Sequence, residues 1–381
     1  MPTSIIIHSL PAWDSPYIKS TVELAKNMDQ DALFIDYAYT WIDVLKTKHA
    51  PNSRILGLRS RTRKEKGHYG NTITILNQPA IIPTNKIKWN WLRFRVHRLN
   101  VQKLNRFYRK WKQKLCVDRP VVINAQNPVQ GIHTDYEASF SPSKIVYYSY
   151  DNIEAMKWLS KQGKEAEARF IKRANQVICT SKGLADKFSS MHQDVKVVHN
   201  GVNDTVFCRQ ETTPKNYIDY LGAVDDRLDL DLVKNLISKF QDYTFRFIGP
   251  VKYNKLAKVV NKSENGRMTG AMGQTEAVDL LAEAKACIIP FKSNDFTKFV
   301  YPLKINEYLS MGKPVVTTNF ADLSSFTEIV SIAQSADEFL EMLSQELDSD
   351  NTDKQQQREF FAKQNNWRSR ALQFEFLVGD S

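Results

Sequence analysis

At 381 residues the chain is too long for one ordinary hydrophobic core and suits two domains of roughly 150–200 residues each. Hydrophobic residues at 42% and aromatics at 11% exclude a disordered or fibrous protein. The net charge of +11 is local: eleven Lys/Arg and no Asp or Glu lie from Lys86 to Val117, and outside that segment 42 basic residues balance 42 acidic ones.

The sequence opens without the charged-then-apolar pattern of a leader, and no apolar run approaches the roughly 18 residues of a membrane span. Apolar, β-branched runs at Ser4–Ile7, Ala32–Tyr37, Ile55–Leu58 and Ile73–Asn77 read as strands. Next comes Lys86–Lys114, where Trp89, Trp91, Phe94, Phe107, Tyr108 and Trp111 alternate with Lys86, Lys88, Arg93, Arg95, Arg98, Lys103, Arg106, Arg109, Lys110, Lys112 and Lys114. Val101, Leu104, Tyr108, Trp111 and Leu115 keep helical spacing, so the stretch predicts an amphipathic helix with aromatics for a bilayer interface and cations for anionic headgroups. The same composition suits RNA or DNA, and a third reading buries the aromatics in the first domain and leaves the cations solvated. The membrane surface is preferred, and nucleic acid is not among the expected partners.

Further runs at Val121–Asn124, Ile145–Ser149, Gln176–Thr180 and Val195–His199 complete the first half, whose continuous apolar strands suit a parallel sheet covered on both faces. Asp151 follows the Ile145–Ser149 strand and opens a helical stretch at Asn152–Leu159; it reads either as a helix N-cap or as a general base. Asp14, in the loop after the first strand, is the alternative, with His8 and His133 as further titratable groups. After the polar stretch Arg209–Asn216 the pattern restarts with strands at Tyr217–Leu221, Thr244–Ile248, Ala286–Pro290 and Pro314–Thr318, separated by amphipathic Leu230–Phe240 and Thr275–Ala284. Ser349–Gln357 is polar and reads as a loop or a helix start. The whole predicts an α/β protein of two Rossmann-like domains facing a cleft. Cys116, Cys179, Cys208 and Cys287 have neither metal nor disulfide spacing and read as reduced structural thiols.

In open α/β sheets ligands bind beyond the carboxyl ends of strands. In the second half those places hold Gly222 with Arg227, Gly249, and Pro290-Phe291 leading through Asn294 and Thr297 to Pro302-Leu303-Lys304. Gly222 and Gly249 would let backbone approach a ligand, or simply make turns. Pro302 opens a helix, Lys304 and Glu307 share one face, and Gly312 stops it before the strand Pro314–Thr318. Such a pair can divide a nucleotide between a diphosphate and its ribose, or be an ordinary surface ion pair. Asp225-Asp226 and Asp229-Leu230-Asp231 read as helix-capping charges.

Val195–Asn203, Tyr220-Leu221-Gly222-Ala223, Phe247-Ile248-Gly249-Pro250, Ala286–Phe291 and Pro302–Val316, in that order, resemble the donor-binding half of GT-B glycosyltransferases that build bacterial polysaccharides. Phe361-Ala362 followed by Asn366-Trp367 resembles the family's last helix, which crosses back onto the first domain. The resemblance implies a GT-B fold with an acceptor- and membrane-binding domain at 1–205, a nucleotide-sugar-binding domain at 206–365 and a returning helix at 366–381. His199 stands where the family has Pro, and Asn203 where it has Asp. Many retaining members carry two glutamates eight positions apart; Glu307 matches the second, and Phe299 occupies the place of the first. The pattern is closer to inverting transferases that act on lipid-linked acceptors, such as the xanthan-type glucuronosyltransferases and the teichuronic-acid transferases.

What the resemblance implies is therefore a peripheral enzyme at the inner face of the cell membrane, moving a sugar from a nucleotide donor, UDP-linked by preference, to a polyprenyl-diphosphate-linked or other glycan. Lys304 and Arg227 would meet the phosphates, Glu307 the ribose, and Asp151 would be the base, with neither metal nor cofactor expected. A nucleotide-sugar 2-epimerase of the same fold and a non-catalytic scaffold are the rivals.

Overall fold

The structure, a computed structural model, describes residues 5–15, 19–84, 87–115, 117–155 and 160–379. The expectations for Ser4, Lys86, Cys116 and the 156–159 end of the Asn152–Leu159 stretch lie outside the described residues. The chain divides into two compact units, residues 1–199 with 370–381, and residues 200–369.

The first unit is built on an eight-stranded sheet of β1 (Ile5–Ser9), β2 (Ala32–Ile35), β3 (Thr62–Lys66), β4 (Thr72–Leu76), β5 (Val121–Ala125), β6 (Lys144–Ser149), β7 (Gln176–Cys179) and β8 (Val195–Val197). Their spatial order is β3-β4-β2-β1-β5-β6-β7-β8. Only β3 runs antiparallel to its neighbour among these described strands. Every residue of β1, β2 and β7 is buried, which explains why their sequences are apolar without alternation. The strand expected at Ile55–Leu58 is instead the end of a short helix, Asn52–Ile55, and a turn through Gly57 at φ +78°. A residue in that left-handed conformation interrupts an extended run, and glycine adopts it without strain. The neighbouring strand β3 reads Thr-Arg-Lys-Glu-Lys and was not anticipated. It pairs on one side only, and the charges that conceal its strand character are the ones that protect an open edge.

The second unit carries a six-stranded parallel sheet of β9 (Tyr217–Leu221), β10 (Thr244–Ile248), β11 (Gly266–Gly270), β12 (Ala286–Ile289), β13 (Val315–Thr318) and β14 (Ser331–Ala333), in the order β11-β10-β9-β12-β13-β14. The central four match the expected strands. The edge β11, Gly-Arg-Met-Thr-Gly, is poor in apolar residues and the edge β14 is only three residues long, so periodicity passes over them. Asp229 caps the helix Leu230–Lys239 by accepting from the Asp231 and Leu232 amides at 3.0 and 3.1 Å, which lays Leu232, Val233, Leu236 and Ile237 into the core. Ser349–Gln357 does contain a helix start, at Thr352, capped by Asn351. Inside the sheet Arg246 of β10 grips Asp219 of β9 through two bonds of 2.9 and 2.8 Å, with Asp219 fully buried.

The last helix, Trp367–Gly379, returns its final residues to the first unit. Ala371, Phe374 and Val378 are buried in that unit's core, and Glu375 accepts from the Asp29 and Gln30 amides. Each sheet also holds one cysteine at full burial, Cys179 in β7 and Cys287 in β12, whereas Cys208 is exposed. Burial pushes the Cys179 thiol up to about 12 and Cys287 well above its ordinary value.

Candidate functional site

Gly222 and Gly249 leave the carboxyl ends of adjacent strands whose last residues, Leu221 and Ile248, are in register. Both glycines have φ +142°, a conformation that side-chain-bearing residues rarely adopt. The Gly222 amide donates to the Ile248 carbonyl at 2.8 Å, and a Cβ on Gly249 would lie 2.3 Å from the Gly222 oxygen. A Cβ on Gly222 would in turn lie 2.3 Å from Lys304 Cε and 2.8 Å from its Nζ. The two glycines thus clear a floor on which the lysine rests.

Lys304 comes from the first turn of the helix Leu303–Ser310, with Pro302 at the cap position. That helix is fastened to β9 by Tyr308, whose hydroxyl accepts from the Leu221 amide at 2.8 Å. The Lys304 amine lies 5.9 Å from the Tyr220 ring and 6.0 Å from the Phe291 ring. Arg227 stacks over Phe291 at 5.2 Å and holds Asp225 through bonds of 2.8 and 2.7 Å. The expectation of capping for Asp225 is therefore replaced by an ion pair, while Asp229 does cap a helix.

Burial pushes the Lys304 amine below its usual range, and nearby Arg227 pushes the same way, against Glu307 and Asp225. Burial raises the Glu307 carboxyl to about 6, with Lys304 opposing. Burial would also raise Asp225, but its bonds with Arg227 hold it below the usual carboxylate range. Among the described residues the Lys304 and Glu307 side chains have no protein hydrogen-bond partner, so they are not the surface ion pair that their spacing allows. Lysine, arginine and the amino end of a helix converge there, a combination suited to a diphosphate, with a carboxylate one turn further on.

Asn294 and Thr297 shape the loop between β12 and this helix. The Asn294 side-chain Oδ1 accepts from the Phe296 and Thr297 amides, and the fully buried Thr297 hydroxyl donates to the Lys292 main-chain carbonyl at 2.7 Å. Thr297 therefore holds the shape of this loop. Leu303 and Pro302 contribute backbone at the helix start.

In the first unit Asp151 follows β6, as expected, and leads into a 3-10 turn, Ile153–Ala155, beyond which the expected helical stretch leaves the described residues. Its carboxylate accepts from the Asn152 amide at 2.8 Å. Gln126, buried at φ +55° and not anticipated, braces this corner by donating to the Asp151 carbonyl at 2.7 Å and accepting from the Tyr150 amide at 2.9 Å. Its backbone strain was the clue that composition could not supply. Asp14 is engaged by Arg63. Burial drops His8 and His133 each to about 4, and His8 Nδ1 lies 2.6 Å from the Tyr136 hydroxyl. A pocket of about 520 Å³ opens beside the ends of β1, β2 and β6, lined by Pro11, Tyr37, Tyr39, Asp43, His49 and Tyr150.

The basic stretch forms the helix Asn90–Leu115. Its apolar stripe turns inward: Leu104 and Tyr108 are buried, and Trp111 is half-buried beside Phe107. Lys103 donates to the Ala80 carbonyl and Lys112 to Ser141, so these cations fasten the helix to its unit. Trp89, Trp91 and Phe94 remain exposed, as do Arg95, Arg98, Arg106, Arg109 and Lys110; Arg93 is half-buried and Arg95 lies over Trp91. The aromatics thus divide between core and surface along the helix. No helix among the described residues is long and apolar enough to cross a membrane.

Residues 215–347 match the family described as glycosyl transferases group 1. Over 180 residues the chain is 28% identical to the putative teichuronic acid biosynthesis glycosyltransferase TuaH of Bacillus subtilis (strain 168); the match spans 42% of this chain and less than half, 44%, of that relative. Among solved structures, sucrose-phosphate synthase from Thermosynechococcus elongatus superposes at a TM-score of 0.70 with 13% identity over 98% of each chain. Anabaena HepE in complex with UDP and glucose superposes at 0.64 with 14% identity over all of both chains. The chain thus carries a group 1 glycosyltransferase domain on the GT-B fold.

Proposed function

We propose that the protein is a membrane-associated glycosyltransferase that moves a sugar from a nucleotide donor, UDP-linked by preference, to a lipid-linked or cell-surface polysaccharide acceptor. The observation that carries this reading is the cluster of Lys304, Glu307 and Arg227 over the Gly222–Gly249 floor, within the group 1 domain. The relative's name, which places it in teichuronic acid biosynthesis, and the UDP and glucose bound to the structural neighbour support the donor and acceptor classes.

In the proposed reaction the acceptor hydroxyl oxygen forms a bond to the sugar's anomeric carbon as the bond to the nucleotide diphosphate breaks, with inversion. The hydroxyl proton passes to Asp151. Charge gathering on the departing diphosphate is met by Lys304, Arg227 and the helix start at Pro302-Leu303, with no metal or other cofactor invoked. Glu307 accepts from ribose hydroxyls. Asp151 is preferred as base because it stands next to Tyr150 of the first-unit pocket, whereas Asp14 is held by Arg63 and burial lowers His8 and His133. The exposed Trp89, Trp91 and Phe94 with their cations would keep the enzyme on the inner face of the membrane.

The test is nucleotide release from UDP-, GDP- and dTDP-sugars, with and without lipid extract, for wild type and Glu307→Ala. Lipid-dependent release from one donor, lost in the variant, supports the transferase. Lipid-independent consumption of the donor turns the reading to a 2-epimerase, and absence of donor binding sinks the catalytic reading.

A further inference from the structure

The segment Trp41–Arg59 carries a second set of exposed apolar and cationic side chains, outside the basic stretch. Its helix Trp41–Lys46 begins with a capping box between Thr40 and Asp43 and buries Val44. Leu45 and Leu58 are left 84% and 77% exposed, and Trp41 and Leu56 are exposed too. A single exposed leucine needs no explanation, but four large apolar side chains within one segment do. Lys46, Lys48 and Arg59 are exposed among them, and the segment's acid, Asp43, accepts from Thr40.

This segment is tied to the basic helix. The Trp41 amide donates to Ile81, and Asn100 of the helix clamps the adjacent Ile82 through bonds of 3.0 and 2.8 Å. Arg61 donates to Ile55 at 2.7 Å and lies over the Phe107 ring at 5.7 Å. On its other side the segment supplies Asp43 and His49 to the 520 Å³ pocket.

We infer that Trp41–Arg59 is a second bilayer contact. Trp41, Leu45, Leu56 and Leu58 enter the boundary between headgroups and acyl chains, while Lys46, Lys48 and Arg59 meet anionic headgroups. The inference rests on the reading of the basic helix as a lipid-binding element and adds that one wall of the pocket lies at the bilayer. Leucines favour lipid over nucleic acid, because they offer acyl chains apolar area but offer bases no aromatic face to stack on.

The test is co-sedimentation of the full chain with vesicles of phosphatidylglycerol and phosphatidylcholine, with RNA binding measured in parallel. Leu45→Ser/Leu58→Ser is expected to weaken vesicle binding about tenfold, as is Trp89→Ser/Trp91→Ser, and the four changes together to abolish it. Phe360→Ser, an exposed apolar position of the second unit, is expected to bind as wild type. All changes are at exposed positions, and an unaltered melting profile verifies folding. Wild-type binding by Leu45→Ser/Leu58→Ser alongside loss in the Trp89/Trp91 variant overturns this inference and leaves the helix reading in place. Binding unaffected by either variant, or salt-sensitive binding to RNA but not to vesicles, overturns both. Donor turnover is not part of the readout, so failure of the catalytic reading is seen separately.

Discussion

Gly222 and Gly249 do different work although they share one backbone conformation. A methyl on Gly249 meets the Gly222 carbonyl, which is backbone and has nowhere to go. Gly249→Ala is therefore expected to cost about 2–3 kcal/mol in urea unfolding. A methyl on Gly222 meets the flexible end of Lys304. Gly222→Ala should cost less stability, about 1 kcal/mol, yet lower donor affinity tenfold or more as the amine is displaced, which calorimetry with UDP would detect. At Glu307 the folded carboxyl titrates near 6 against an ordinary 4.5, so the folded protein holds a proton that the unfolded chain releases. Stability from this group falls as pH rises through that window. Glu307→Gln is expected to stabilise the protein by about 1 kcal/mol at about pH 8 and to be neutral near pH 4, while weakening donor binding at both. These residues were legible because glycines after strands and a Lys/Glu pair at helix spacing leave a mark in one sequence. Gln126 and the burial of Thr297 were not, since positive φ at a glutamine and an inward hydroxyl depend on neighbours distant in the chain.

Among the elements, buried central strands were read correctly because apolar side chains must fill both faces of a parallel sheet. Edges β3, β11 and β14 were missed because charge hides the first, flanking glycines and few apolar side chains the second, and brevity the third. The basic stretch shows the limit of periodicity, since its helical stripe was visible but not the direction it faces, which Asn100, Lys103 and Lys112 fix through bonds to other segments. The β9–β10 pair carries the strongest element-level prediction. Arg246→Leu would leave Asp219 buried without its bidentate partner and is expected to cost about 3–5 kcal/mol at about pH 8. Burial already lifts Asp219 from 3.8 to about 6, so the folded state favours its protonated form and the loss should shrink as pH falls towards 5. Urea midpoints at both pH values check this, and an equal loss at each would contradict the assignment.

At the scale of the molecule, two separate cores and one returning helix predict two resolvable unfolding steps. Phe374→Ala, in the part of the last helix buried with the first unit, is expected to lower that unit's step by about 3–5 kcal/mol. UDP at about a hundredfold excess over its dissociation constant should raise the second unit's step by about 2.7 kcal/mol and leave the first unchanged. Two-domain organisation was readable from length and from the restart of the strand pattern after Arg209–Asn216. The pocket beside β1, β2 and β6 was not, because its walls come from Pro11, Tyr37, Asp43 and Tyr150, which no spacing rule joins. The buried cysteines give these steps individual clocks. Cys179 and Cys287 sit at full burial in different sheets with thiols held protonated, so neither can be alkylated until its own sheet opens. Pulsed labelling read by peptide mass would time the opening of each sheet within a single intact chain, without an added fluorophore.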